Sequence, residues 1–370
     1  MKILLTGGGT AGHINPAIAI AELLKRNLPN VEIAYAGTPN GLERDLTAVL
    51  KCPYYAIRSY GFSRRPTLKN AVAAVRAVLS PIEARHIIRD FRPNLAIGTG
   101  GYVCWPILRA AAHEGVPVAI HESNAFPGLA VRRLERYADL VMLNFKESAA
   151  LLKHPEKTVQ TGIPLRASFG MDSHKEARKR LGIPKEAFYI LSFGGSLGAE
   201  TINRTVVEWM AKYGEKKQNL YHLHAAGSYR NNFVECYLHY TRLVNSKERI
   251  QIVKYIDDMH LQMAAADLVI CRCGAVTLAE LSALSKPSIL IPSPNVADDH
   301  QKKNALLFAN EKAATLLEES ELSAATLEDA ILPYYEAPEL RRAAGTAAHR
   351  FFVPKSDRII FDSLMEVLGC

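Results

Sequence analysis

Apolar positions along the chain fall into short unbroken runs, each followed by a small polar or glycine-containing turn and then by apolar residues at helical steps. The opening does this first: Ile3-Leu-Leu5 runs into Gly7-Gly-Gly-Thr-Ala-Gly12, and Asn15-Pro-Ala-Ile-Ala-Ile-Ala-Glu-Leu-Leu24 then carries helical spacing. This predicts strand, tight turn and helix, with Pro16 tolerated in the first helical turn. Further strands are predicted at Val31–Ala36, Pro93–Ile97, Val116–Ile120 and Ala138–Leu143. Gly37 to Tyr60 reads as loop and helix, Gly41-Leu-Glu-Arg-Asp45 opening a short helix. Leu68, Val72, Val75, Val78, Leu79 and Ile82 step by threes and fours, as an amphipathic helix flanked by Arg64, Arg65, Lys69 and Arg76 does.

Near Thr161–Arg166 the pattern breaks, and at Ala187–Phe193 it restarts. Strands follow at Leu220–His224, Ile250–Val253, Ala266–Cys271 and Ser288–Pro292, the last strong one, and Pro354 to Leu368 closes the chain as a helix. Strands alternating with helices imply parallel sheets covered on both faces. The expected fold is α/β, two doubly wound domains in tandem. The boundaries read from the pattern are 1–163, 164–350 and a terminal segment 351–370 that packs back on the first domain.

Ligands of such sheets collect beyond the carboxyl ends of the strands. Three glycine turns fall there: Gly7–Gly12, Gly98-Thr-Gly-Gly-Tyr102 and Gly194-Gly-Ser-Leu-Gly-Ala199. Amides at a helix start point outward and the helix dipole favours an anion, so these turns are phosphate cradles by expectation. Gly7, Gly9 and Gly12 also match a dinucleotide fingerprint. That fingerprint wants an acid at the end of the second strand, and here the strand runs into Gly37-Thr-Pro39, which weighs against an NAD enzyme.

At 370 residues, 48% hydrophobic and 22% charged, the chain has the composition of a globular protein of two ordinary domains. No apolar run approaches the roughly 18 residues of a membrane span, and a cytosolic location is expected. Six scattered cysteines lack zinc-ligand spacing and read as reduced and structural. The net charge of +8 suits an anionic membrane surface or a phosphorylated substrate, and no aromatic-rich basic motif points to nucleic acid.

Glu280, one helical turn beyond a strand end, has the chemistry to accept two hydrogen bonds from a ribose diol, or to be a solvated helix acid. His13, after the first turn, has the chemistry to take a proton from a sugar hydroxyl, or to serve only as a hydrogen-bonded turn residue. No Asp-x-Asp occurs, so a metal-bridged diphosphate lacks obvious ligands. Amides, a helix dipole and Arg166 are expected to meet the diphosphate charge, with no metal or other cofactor.

Together these residues resemble the MurG family, which adds N-acetylglucosamine to a lipid-linked muramyl pentapeptide. Seven stretches in order carry the resemblance: Gly7–His13, Gly98–Tyr102, His121-Glu-Ser-Asn124, Gly194–Ala199, Tyr255-Ile-Asp-Asp-Met259, Cys271-Arg-Cys-Gly-Ala-Val-Thr-Leu-Ala-Glu280 and His300-Gln301. The resemblance implies a GT-B fold, two Rossmann-like domains facing a cleft, and an inverting transfer from UDP-GlcNAc to the 4-hydroxyl of undecaprenyl-diphospho-N-acetylmuramoyl-pentapeptide. It implies His13 as general base, with Thr10, Ala11, Gly12 and Asn124 near the donor sugar. It places Ile256 at the uracil, Glu280 at the ribose, Ser196 and Arg166 at the nucleotide phosphates, and Gln301 at the sugar, with Ala275, Val276, Thr277, Leu278 and Ala279 completing the donor helix. Gly8, Gly9, Gly100, Gly101 and Tyr102 would cradle the acceptor diphosphate. The implied setting is peripheral, on the cytoplasmic face of an anionic bacterial membrane, within a cell-wall synthesis complex. The family often has Gly, Gln and Ser where this chain has Ala11, Leu197 and Cys273. A UDP-sugar transferase acting on another lipid, such as diacylglycerol, and a non-catalytic binder of lipid-linked precursors are the alternatives.

Overall fold

The structure, a computed structural model, describes residues 1–58, 68–165, 169–228, 231–246, 248–296 and 299–370, and of 68–79 the backbone alone. The chain divides into two units, Met1–Leu165 with Val353–Cys370, and Arg166–Phe352.

The first unit holds a seven-stranded parallel sheet of β1 (Lys2–Thr6), β2 (Glu32–Gly37), β3 (Tyr54–Ala56), β4 (Leu95–Gly98), β5 (Val118–Glu122), β6 (Leu140–Leu143) and β7 (Thr158–Gln160). Their order across the sheet is β3-β2-β1-β4-β5-β6-β7, so the direction of winding reverses between β1 and β4. Burial on both faces explains the unbroken apolar runs. Successive β1 residues serve opposite cores. Leu4 packs with Ile87, Ile88 and Phe91 of the helix Leu68–Phe91 and with Ile107 and Leu108 of the helix Cys104–His113. Ile3 and Leu5 pack with Ile20 and Leu24 of the helix Ala11–Asn27 and with Ile360 and Leu364 of the terminal helix Ser356–Leu368. Asp357 of that last helix also meets Arg26 at 2.8 Å.

The second unit repeats the plan in six strands, β8 (Phe188–Phe193), β9 (Leu220–Ala225), β10 (Ile250–Val253), β11 (Leu268–Cys271), β12 (Ser288–Leu290) and β13 (Ala314–Leu316). Their order is β10-β9-β8-β11-β12-β13, with the reversal between β8 and β11.

Three strands depart from the sequence expectation. β3 lies inside the stretch read as loop and helix, β7 just before the break in pattern, and β13 beyond the strand taken as last. Each has three residues, too few for an apolar period to register. The helix Leu68–Phe91, with Pro81 inside it, runs on past its expected end at Ile82; Ile82, assigned to its apolar face, is 69% exposed, while Ile87, Ile88 and Phe91 are buried. The basic turn Arg64–Arg65 lies outside the described residues, as do the side chains of Lys69, Val72, Val75 and Val78. All six cysteines are free thiols, four of them buried. Among the described residues no helix is long and apolar enough to cross a membrane.

Candidate functional site

In the first unit the carboxyl ends of β1, β2, β4 and β5 bring four segments together. The turn after β1 presses on the turn after β4: Gly8 N–H donates to Gly100 C=O at 3.2 Å. Gly101 has φ +88°, and a Cβ there would lie 2.2 Å from the Gly8 oxygen, so only glycine fits. The Tyr102 ring lies over Gly9.

His13, half-buried in the first turn of the helix Ala11–Asn27, places Nδ1 3.1 Å from the Gly8 carbonyl oxygen. A carbonyl only accepts, so Nδ1 carries the proton and Nε2 presents a lone pair. The Thr99 hydroxyl donates to the His13 carbonyl at 2.6 Å and fixes the backbone. Burial lowers the pKa of the imidazole, opposed by the bond to Gly8, so the ring is neutral near pH 7. Gly100 makes room for it, since a Cβ would stand 2.6 Å from Cδ2 and 3.0 Å from Nε2.

The phosphate-cradle expectation narrows here. Gly8 N–H is engaged by Gly100, and Gly9 N–H faces the carboxylate of Glu43 at 3.4 Å. Gly8 and Gly9 therefore shape the turn rather than present amides. The amides of Thr10, Ala11, Gly12, Gly100 and Gly101 have no backbone acceptor among the described residues. Asn124 is held by Glu122, whose Oε1 accepts from its backbone N–H at 2.9 Å and from Nδ2 at 3.1 Å. Glu122 Oε2 accepts from Gly128 N–H at 2.8 Å. His121 is buried, hydrogen-bonded to Gly162 C=O at 2.9 Å, with its pKa pushed down to about 4 by burial; it is part of the core.

Sequence reasoning passed over Glu43 and Glu122. Glu43 is fully buried, and Thr38 N–H and Oγ1–H donate to its Oε1 at 2.9 and 2.6 Å. It reaches from the helix Leu42–Leu46 to the first glycine turn, where its other oxygen faces Gly9 N–H, so it braces the turn and is not the ribose-binding acid of a dinucleotide fingerprint. Nothing in the local pattern of Gly41–Asp45 marks it.

In the second unit the turn after β8 leans on the loop after β9. Gly198 has φ +80°, and a Cβ would lie 1.9 Å from the Ala226 oxygen. Ser228 N–H and Oγ–H both donate to Ser196 C=O at 3.1 Å, and Asn232 Nδ2 donates to Leu197 C=O at 2.9 Å. Ser196 keeps an exposed side chain, and the amides of Ser196 and Leu197 have no backbone partner among the described residues. Leu197 is 61% exposed.

Beyond β11, Gly274 caps the helix Ala275–Ala283 in extended conformation, which leaves the first-turn amides of Ala275, Val276 and Thr277 pointing out of the sheet. Ala275 and Leu278 are buried and contribute backbone only, whereas Val276, Thr277, Ala279 and Glu280 are half-buried. Cys273 is buried, which raises its thiol pKa, and its carbonyl accepts from Asn304. Ile256, beyond β10, buries its side chain, and its N–H and C=O join no backbone hydrogen bond among the described residues. Gln301 Oε1 accepts from Ser293 N–H at 2.9 Å, which turns its NH2 outward as a donor. Arg166 lies outside the described residues. Among the described residues no three His, Cys, Asp or Glu side chains converge as metal ligands do.

The glycosyltransferase family 28 N-terminal domain matches residues 3–143, and the family 28 C-terminal domain matches residues 189–357. A relative from Acetivibrio thermocellus, named UDP-N-acetylglucosamine–N-acetylmuramyl-(pentapeptide) pyrophosphoryl-undecaprenol N-acetylglucosamine transferase, is 42% identical over 87% of this chain and 86% of its own. One of the same name from Desulforudis audaxviator is 36% identical over 100% of this chain and 99% of its own. The crystal structure of Acinetobacter baumannii MurG superposes with a TM-score of 0.78 at 24% identity, covering 99% of each chain, so the fold is the two-domain GT-B fold. With both family 28 domains present and identity of this order along its length, the chain belongs to the MurG family of glycosyltransferases.

Proposed function

We propose that the protein transfers N-acetylglucosamine from UDP-GlcNAc to the 4-hydroxyl of undecaprenyl-diphospho-N-acetylmuramoyl-pentapeptide, with inversion. One observation carries the reading: His13, held as the Nδ1–H tautomer with Nε2 presented, stands at the reversal point of one Rossmann unit. Nε2 takes the hydroxyl proton as the acceptor oxygen attacks the anomeric carbon. The bond from that carbon to the diphosphate breaks, and its electron pair leaves with UDP.

In the second unit the Ile256 N–H and C=O match the paired acceptor and donor of the uracil edge, and Glu280 accepts the ribose hydroxyls. Ser196 and the amides at the start of the helix Ala275–Ala283 meet the diphosphate, with Arg166 and without a cation. The Gln301 NH2 donates to a sugar hydroxyl. In the first unit Thr10, Ala11, Gly12 and Asn124 border the donor sugar, and Gly100, Gly101 and Tyr102 receive the acceptor diphosphate on the frame that Gly8 and Gly9 shape.

The net charge of +8 and the basic segment Arg64, Arg65 and Lys69 support peripheral attachment to the cytoplasmic face of an anionic membrane, in company with other cell-wall enzymes. Sedimentation with vesicles rich in phosphatidylglycerol, and not with phosphatidylcholine alone, is the expected outcome. Purified protein given UDP-GlcNAc and the lipid acceptor in the presence of chelator should form the disaccharide lipid and UDP. His13→Ala should lower kcat by roughly 10² to 10⁴ with UDP-GlcNAc affinity kept. Product formed only on diacylglycerol, or turnover that survives His13→Ala, overturns the reading.

A further inference from the structure

We propose that Glu43 is a positioning residue for the His13 base, acting through the Gly8–Gly9 peptide group. The inference rests on the reading of His13 as that base. Gly8 C=O and Gly9 N–H are the two ends of one peptide. Its oxygen accepts the His13 Nδ1 proton at 3.1 Å, and its N–H faces Glu43 Oε2 at 3.4 Å. The other carboxyl oxygen is tied by Thr38 N–H at 2.9 Å and by Thr38 Oγ1–H at 2.6 Å. Each of these three groups is a donor, as an acceptor-only carboxylate requires. Gly100 C=O holds the Gly8 amide on one side of the peptide, and the Thr99 hydroxyl holds the His13 backbone on the other, so the line from carboxylate to imidazole is fixed at both ends.

A negative charge at the N–H end polarises the peptide and makes the oxygen that faces His13 a stronger acceptor. When Nε2 takes the hydroxyl proton, the imidazolium is stabilised and held to one orientation. In hydrolase triads an aspartate does this by direct contact. Here the carboxylate stands one peptide away, buried, where its charge is little screened.

The neighbouring ionisable groups do not compete. Tyr35 donates to Gly7 C=O, Tyr54 to Thr38 C=O and Cys104 to Gly100 C=O. Burial raises the pKa of all three, so none changes charge between about pH 5 and 8. Arg44, Asp45 and Tyr102 also act on Tyr54, and Cys52 acts on Tyr35.

Glu43→Gln keeps the shape and one acceptor oxygen and removes the charge. In pH profiles of kcat it should lower the plateau about tenfold and move the acidic limb about half a unit to lower pH, because a less stabilised imidazolium loses its proton sooner. KM for UDP-GlcNAc should stay unchanged. NMR titration of histidine-labelled protein, with the His13 signal identified by its loss in His13→Ala, should show the same downward movement without any turnover. Thr38→Val, which keeps the charge and removes one tie, should give a smaller change of the same sign and covers the case in which Glu43→Gln does not fold. Superimposable profiles and titrations, or a change confined to the melting temperature, overturn the proposal. An inactive His13→Ala beside an unaltered Glu43→Gln defeats this inference alone, whereas an active His13→Ala defeats the base reading beneath it.

Discussion

The glycine turns after β1 and after β8 occupy the same step of the same strand order and are braced differently. In the first unit the turn after β1 leans across the reversal point onto the turn after β4, with the buried Glu43 carboxylate beneath it. In the second, the turn after β8 leans the other way, onto Ala226 beyond β9. Beneath that turn lies a neutral polar chain: Ser192 Oγ bonds His222 Nε2 at 2.7 Å and His224 Nδ1 at 2.8 Å, His224 Nε2 bonds Asn203 at 3.0 Å, and Asn203 donates to Ala226 C=O at 2.9 Å. Burial lowers the pKa of both histidines, so this chain carries no charge at neutral pH. On the proposed roles, a negative charge beneath the first turn favours the protonated His13, while the neutral chain beneath the second adds no repulsion to the donor diphosphate.

The largest effect that tests this bracing is steric. Gly101→Ala and Gly198→Ala each drive a Cβ into a carbonyl at positive φ and should cost roughly 3 kcal/mol or more. Gly195→Ala, at φ +91° with no atom within 4 Å of its Cβ, should cost only about 1 kcal/mol of backbone strain. Urea unfolding midpoints compare them, and equal costs would break the claim that the turns are pinned.

Next comes the division of labour. Glu280→Ala should raise KM for UDP-GlcNAc by roughly 10- to 100-fold, the loss of one or two hydrogen bonds to a charged group, with kcat held within a few-fold. A fall in kcat with KM unchanged would move Glu280 out of ribose binding.

Acid should separate the units more gently. His121 and His224 have folded pKa values near 4 against 6.5 in the open chain, and His222 lies well below 6.5. Between those values the unfolded chain binds protons that the folded one refuses. Stability is therefore retained above pH 6.5 and lost as pH falls toward 4, by up to about 1.4 kcal/mol per pH unit for each histidine. His222 and His224 lie side by side on β9 whereas His121 is alone on β5, so β8 and β9 should lose hydrogen-exchange protection between pH 7 and 5 more steeply than β5, and His13 adds a contribution of the same sign at the turn after β1. The smallest effect belongs to Leu197→Gln: the side chain is exposed, so stability should shift by no more than about 0.5 kcal/mol in thermal melts.

The apolar runs at the central strands are short but unbroken, because those strands are buried on both faces, so the strands, their alternation with helices and the restart near Ala187 were legible in the sequence. The glycine clusters marked the turns; His13 and Glu280 stood out by their places after a turn and a strand end, each with an ordinary structural reading beside the chemical one, and Gln301 was named only through the resemblance to the MurG family. The three-residue strands β3, β7 and β13 did not stand out, since their pairing comes from the adjacent strand rather than from a period of their own. Nor did Glu43: between Leu42 and Arg44 it reads as an ordinary helix acid. Only packing buries it, turns one carboxyl oxygen toward Thr38 and the other toward Gly9, and brings His13 to the far side of the same peptide. Local composition sets which segments become strands and turns, while the charge beneath a turn depends on side chains that arrive from thirty or ninety residues away.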